Sequence, residues 1–212
     1  MDVADQSSPR VVRRADTLAV EEPMEIRVDG RALTVTMRTP GDDFDLTIGF
    51  LHGEGLITGA DDVSRLMHCL DTDKSGSPTY NVVDVTFAEG MSLPDEAARR
   101  FVTTSACGVC GTSSIEALRA TSRYAVDDDG TLVDPALLVG LPARLRAEQK
   151  AFEVTGGLHA AGLFTADGDL LVVREDVGRH NAVDKVVGWA IREGRLPLAG
   201  HVLVVSSRAS FE

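Results

Sequence analysis

The sequence is short of positive charge, of cysteine and of long apolar runs, and each shortage excludes a class of protein. Lys and Arg number 21 against 33 Asp and Glu, a formal charge of −12, with a pI near 4.8. Proteins that live on phosphate contacts carry a basic face, so general nucleic-acid binding is excluded. One anionic small ligand is not, because a local Arg/His pocket or a helix N-terminus holds phosphate on an acidic chain. No apolar stretch approaches the roughly 20 residues that span a bilayer, which argues against a membrane protein. The opening MDVADQSSPRVVRRAD has no apolar core behind its charges, so the expectation is a cytoplasmic chain without signal or anchor. Three cysteines are too few, and odd in number, for a disulfide scaffold.

What is present suits a folded chain. At 212 residues, with 43% hydrophobic and 25% charged, it fits one large or two modest domains and not a disordered segment. Residues 1–15 read as a flexible N-terminus, 16–126 as an α+β domain, 127–134 as an acidic linker and 135–212 as a layered α/β domain. The runs Glu25–Val28 and Leu33–Met37 flank Asp29-Gly30, a hairpin signal. Phe44, Ile48 and Leu51 recur at helical spacing over 42–54, and 80–87 alternates as a strand. Short helices are expected at 112–118 and 159–164, and a longer one at 135–150 interrupted by Pro142. Strands follow at 170–173 and 202–205, with a helix at 181–191 between them. The end, Ser206 to Glu212, resembles a turn entering a helix that stops in its first turn, so the chain looks cut short.

Four clusters carry chemistry. Cys107-Gly108-Val109-Cys110-Gly111 places two thiols three positions apart just before an expected helix start, where the helix dipole lowers a thiol pKa. Such thiolates attack sulfur donors, and one can resolve the other. Two buried structural cysteines are the competing reading, disfavoured by the flanking glycines. Structural zinc needs about four ligands; the only remaining thiol is Cys69, whose neighbour His68 cannot easily join it in a tetrahedral set, and no second C-x-x-C exists, so no metal is expected. A thioredoxin-like dithiol shares the spacing but lacks an evident βαβ setting. Zinc deamination fails because Ala160-Ala161 follow His159, where the general-acid Glu would have to stand. The second cluster, Gly156-Gly157-Leu158-His159, reads as an anion cradle before a helix. The third, Asp176-Val177-Gly178-Arg179-His180-Asn181, and the fourth, Ser206-Ser207-Arg208, each follow an apolar strand, where ligands bind in α/β sheets.

In order along the chain, Thr39-Pro40-Gly41-Asp42, Gly49 to Gly55, Cys107 to Gly111, Thr155 to Ala161, Glu175 to Asn181 with Asp184-Lys185, and Ser206 to Glu212 resemble the FdhD family. These are sulfur-carrier accessory proteins of formate dehydrogenase, and the likeness runs from about residue 15 to the last. The resemblance implies a cytoplasmic sulfurtransferase that takes sulfane sulfur from a cysteine desulfurase as a cysteine persulfide on Cys107 or Cys110. It passes that sulfur to the molybdenum or tungsten bis-guanine-dinucleotide cofactor, for which GDP is the simple analogue. It further implies a homodimer and a second domain resembling cytidine deaminase without its zinc. Gly156, Gly157, His159, Asp176, Arg179, His180, Ser207 and Arg208 would then contact the cofactor. Family members usually continue further, with a late segment that helps hold the guanine dinucleotide. Two other readings stay open from the residues alone: a non-catalytic chaperone for the cofactor, and a C-x-x-C dithiol oxidoreductase.

Overall fold

The computed structural model describes residues 14–70, 72, 76, 78–94 and 129–209. The cysteine loop at 107–110 and the helix expected at 112–118 lie outside the described residues, as do residues 1–13 and 210–212.

The chain opens with a hairpin, β1 (Glu22–Val28) and β2 (Arg31–Arg38), closed by Asp29-Gly30. Both turn residues have positive φ, 49° and 75°, the twist that a two-residue hairpin turn requires. Helix α1 (Asp43–Gly53) follows, then a 3₁₀ turn (Ala60–Asp62), β3 (Val63–His68) and β4 (Val82–Phe87). These strands form one sheet in the order β2-β1-β4-β3, with β1 and β4 parallel and the other pairs antiparallel. Met24, Ile26, Val28, Val83 and Val85 alternate toward a core that Leu46, Ile48 and Leu51 of α1 complete.

The second half contains α2 (Pro135–Glu148), α3 (Lys150–Thr155), β5 (His159–Thr165), β6 (Leu170–Asp176), α4 (Arg179–Arg192) and β7 (His201–Val205). Its sheet has β5 in the centre, antiparallel to β6 on one side and β7 on the other. Ala161, Leu163 and Val172 pack on Ala182 and Val186 of α4, while Ala160 and Phe164 pack on Leu141 and Leu145 of α2. Helix, sheet and helix thus form three layers, and the protein is a mixed α/β fold.

Two expectations are corrected here. Residues 159–164 are not a helix but the central strand, because helices cover both faces and leave its five inner residues buried. Pro142 does not interrupt the helix, which runs from Pro135 to Glu148 through it. Pro142 is exposed beside the buried stripe of the helix, and burial of Leu141 and Leu145 offsets the missing backbone bond. Asp134 caps that helix through Ala136 N–H at 2.8 Å.

The two halves meet through helices α1 and α4, which cross at Gly49 and Gly188. A Cβ on Gly188 would lie 1.8 Å from the Asp45 carbonyl oxygen, and one on Gly49 would lie 1.9 Å from the Asp184 carbonyl oxygen. Charge reinforces the seam. Asp45, 2% exposed, accepts from Arg174 at 2.8 Å and from Arg192. Arg38 makes a two-pronged pair with Asp43, at 2.9 and 3.1 Å, in full burial.

Candidate functional site

Because β6 and β7 both run against β5, the start of β5 and the ends of β6 and β7 share one end of the second sheet. That topology gathers three of the four sequence clusters. His159 pairs in register with Asp176, and Ser206 continues the β7 ladder against Ala160, donating its N–H to the Ala160 carbonyl at 2.9 Å. The Ser206 hydroxyl oxygen accepts from Ala160 N–H at 2.8 Å. Gly156, Gly157, Leu158, His159 and Ser206 line an open cleft of about 420 Å³, closed on the far wall by Arg146, Gln149 and Phe152. That volume suits a small organic ligand.

The expected anion cradle at Gly156-Gly157 loses its physical basis. With 159–165 a strand, the glycines end helix α3 and begin none. Gly156 takes φ 65°, the left-handed stop that glycine adopts without a Cβ clash. Its N–H donates to the Phe152 carbonyl at 2.7 Å, and the Gly157 N–H donates to the Thr155 hydroxyl at 3.3 Å. A helix C-terminus presents carbonyls and partial negative charge, so this corner favours N–H donors over phosphate.

Asp176 is fully buried and saturated. One carboxylate oxygen accepts from Thr39 N–H at 3.1 Å and Lys185 Nζ at 2.8 Å. The other accepts from Gly178 N–H at 2.8 Å and Asn181 Nδ2 at 2.9 Å. Lys185, 1% exposed, also donates to the Thr39 carbonyl at 2.9 Å. Asp176 therefore acts on any ligand through the turn it holds, the entry to helix α4, and not by contact. That turn presents Arg179 and His180, both half-buried, and the Arg179 Nε is buried without a partner. Ser207 is half-buried and Arg208 exposed just past β7. Arg179, His180, Ser207 and Arg208 thus sit at the same sheet end as the cleft without lining it.

Sequence reasoning missed Arg146, Gln149 and Phe152. They recur every third residue, but that stripe reads equally well as a solvated helix face. The Arg146 guanidinium lies over the Phe152 ring, 4.5 Å from its centroid. Gln149 sits at the break between α2 and α3 and is only 3% exposed. A second cleft, about 490 Å³, lies between Thr39-Pro40-Asp42 and strand β6. Glu175 at its edge caps helix α3, accepting from Ala151 and Phe152 N–H at 2.8 Å each. Among the described residues no three His, Cys, Asp or Glu side chains gather as for a metal ion, and no helix is long and apolar enough to cross a membrane.

Comparison with known proteins matches these elements as a set. The profile of the FdhD/NarQ family matches residues 19–212. The chain is 54% identical over 211 residues to the sulfur carrier protein FdhD of Mycolicibacterium paratuberculosis, covering 99% of this chain and 78% of that protein. It is 55% identical over 204 residues to the sulfur carrier protein FdhD of Streptomyces avermitilis, with 95% and 72% covered. The crystal structure of a proposed formate dehydrogenase accessory protein from Desulfotalea psychrophila shares the fold, with a TM-score of 0.66 at 24% identity over 91% of this chain and 68% of that one. One profile thus runs through every loop at this end of the sheet and through the cysteine pair, and the chain belongs to the FdhD/NarQ family.

Proposed function

We propose that this protein is a sulfur carrier serving formate dehydrogenase. It takes sulfane sulfur from a cysteine desulfurase onto the Cys107/Cys110 pair and transfers it to the guanine-dinucleotide molybdenum or tungsten cofactor. The observation that carries the reading is the C-x-x-C pair in a chain 54% identical to a protein named as a sulfur carrier. In the first step one thiolate attacks the outer sulfur of the desulfurase persulfide. The desulfurase thiolate leaves, the attacking cysteine becomes S–SH, and no net electrons move. If the second thiolate then attacks the inner sulfur, hydrosulfide departs and a Cys107–Cys110 disulfide remains for a thiol reductant to reopen. The cofactor is substrate here, held in the cytoplasm by a homodimer whose second sheet supplies the cleft and the Arg179, His180, Ser207 and Arg208 side chains.

Intact mass after incubation with desulfurase and cysteine tests the reading. The expected result is added sulfur mass that reductant removes and that the Cys107→Ala, Cys110→Ala double variant does not gain. Mass gain by that variant refutes the site. Formate dehydrogenase maturation that survives loss of both thiols would make the protein a cofactor chaperone instead.

A further inference from the structure

Among the described residues strand β6 is an edge strand, with β5 on one side and no strand on the other. The register shows which of its backbone groups are left over. Ala160 spends its N–H and its carbonyl on Ser206, toward β7, so Glu175, which lies opposite it on β6, receives neither. The pattern alternates along an antiparallel ladder, and Val173, opposite Gly162, stands in the same position. The N–H and carbonyl groups of Val173 and Glu175 therefore point away from the sheet. Among the described residues nothing takes the two N–H groups or the Glu175 carbonyl, and the Val173 carbonyl accepts only from the Arg174 guanidinium at 3.1 Å. This edge is the floor of the second cleft, about 490 Å³, which every residue from Leu170 to Glu175 lines. We propose that the cleft docks an extended peptide segment of a partner protein, alternating apolar with basic residues, as an added strand on β6.

Three features choose this occupant. Outward N–H and carbonyl groups two residues apart, along roughly 17 Å of strand, are the complement of another extended main chain. The walls come from different layers. Thr39 and Pro40 stand beside helix α4, where the Thr39 carbonyl accepts from Lys185, and Glu148 and Ala151 belong to the corner between α2 and α3 on the other face. A slot walled on both faces suits one strand. It disfavours a second copy of this chain, whose own β6 is recessed between the same walls. Charge selects the side chains. Asp42 and Glu148 are exposed at the rim, whereas Arg174 is already paired to Asp45 at 2.8 Å, and the whole chain carries −12. Basic residues of the peptide meet those carboxylates, and its apolar residues meet Pro40, Leu170 and Leu171. The inference does not rest on the carrier function proposed above.

A capped seven-residue peptide alternating valine with lysine tests the slot by fluorescence polarisation against the full chain. Two relatives accompany it, one N-methylated at every amide and one with glutamate in place of lysine. The lysine peptide is expected to bind, the N-methylated form at least roughly tenfold more weakly, as the loss of its main-chain donors requires, and the glutamate form more weakly too. Amide hydrogen exchange reads the site directly. Binding should slow exchange at Val173 and Glu175 and leave Arg174, already paired with β5, unmoved. Val173→Pro removes one outward N–H at an edge position where proline is tolerated, and should abolish binding in a protein that thermal melts show to be folded. Glu148→Lys should weaken the lysine peptide and favour the glutamate one. Failure of the lysine peptide to bind, equal binding of the N-methylated form, or protection that avoids Val173 and Glu175 overturns the proposal. So does full binding by folded Val173→Pro. If that variant does not fold, an unchanged charge preference in Glu148→Lys overturns it. Self-association that Val173→Pro abolishes, with no peptide bound, makes a second copy the occupant and overturns it as well.

Discussion

Gly188→Ala is the sharpest test of how the two halves of this protein are joined. The added methyl carbon would sit 1.8 Å from the Asp45 carbonyl oxygen, 2.7 Å from its carbonyl carbon and 2.8 Å from the Gly49 nitrogen, where ordinary contact begins near 3.4 Å. All three are backbone atoms, so no rotamer change relieves the clash and the helices themselves must part. Overpacking costs about 1–3 kcal/mol where side chains can adjust. Here the parted seam also loosens the Asp45 contacts to Arg174 and Arg192, which places the cost at about 3 kcal/mol or more. For a chain of this size 1 kcal/mol moves the melting temperature by roughly 2–4 °C, so a fall of roughly 6–12 °C is expected. Gly140→Ala is the control, since that glycine lies in helix α2 with nothing within 4 Å of its would-be Cβ. It should gain about 1 kcal/mol of helix propensity and melt a few degrees higher. Calorimetric melts of both variants decide the matter. A Gly188→Ala protein that melts at or above the wild type, while Gly140→Ala behaves as expected, would refute the close crossing.

Lys185→Met strands the buried Asp176 carboxylate with three remaining donors, and urea unfolding should show a loss of about 3 kcal/mol, the low end for a broken buried pair. Asp129 is held below its ordinary 3.8 first by the Thr131 hydroxyl, then by the Gly200 and Thr131 backbone N–H groups. Its lowered folded value means a stabilising contribution that is complete above the ordinary range and lost as pH falls below it; a carboxyl NMR midpoint at or above 3.8 would contradict this. Cys69 is a half-buried free thiol whose N–H bonds to the Val82 carbonyl at 2.9 Å, so Cys69→Ala should leave sulfur loading and maturation near wild type. Complete loss of maturation in a folded Cys69→Ala protein would give that thiol a role.

Neighbours along the chain decide the local elements. Asp29-Gly30 closes a hairpin because those two residue types tolerate positive φ. The helices at 43–53 and 179–192 and the strands ending at Asp176 and Val205 follow from apolar spacing and turn residues. The family was legible too, since its motifs are short and local. Residues 159–165 show where local reading stops. His-Ala-Ala-Gly-Leu-Phe-Thr contains good helix formers, and only the helices packed on both faces make it a central strand. That one reversal turned Gly156-Gly157 from a helix start into a helix stop, and with it the polarity of the cleft. Arg38 and Lys185 carry no local mark of burial, and only partners distant in the fold, or fixed by its turns, surround them. Gly49 and Gly188 are 139 positions apart, and neither carries a local mark of needing to be small. Gln149 looks like any polar helix residue until the sheet end folds over it. Turns and periodicity are short-range preferences of the backbone, whereas burial, ion pairing and ligand-facing geometry exist only between segments that tertiary packing brings together.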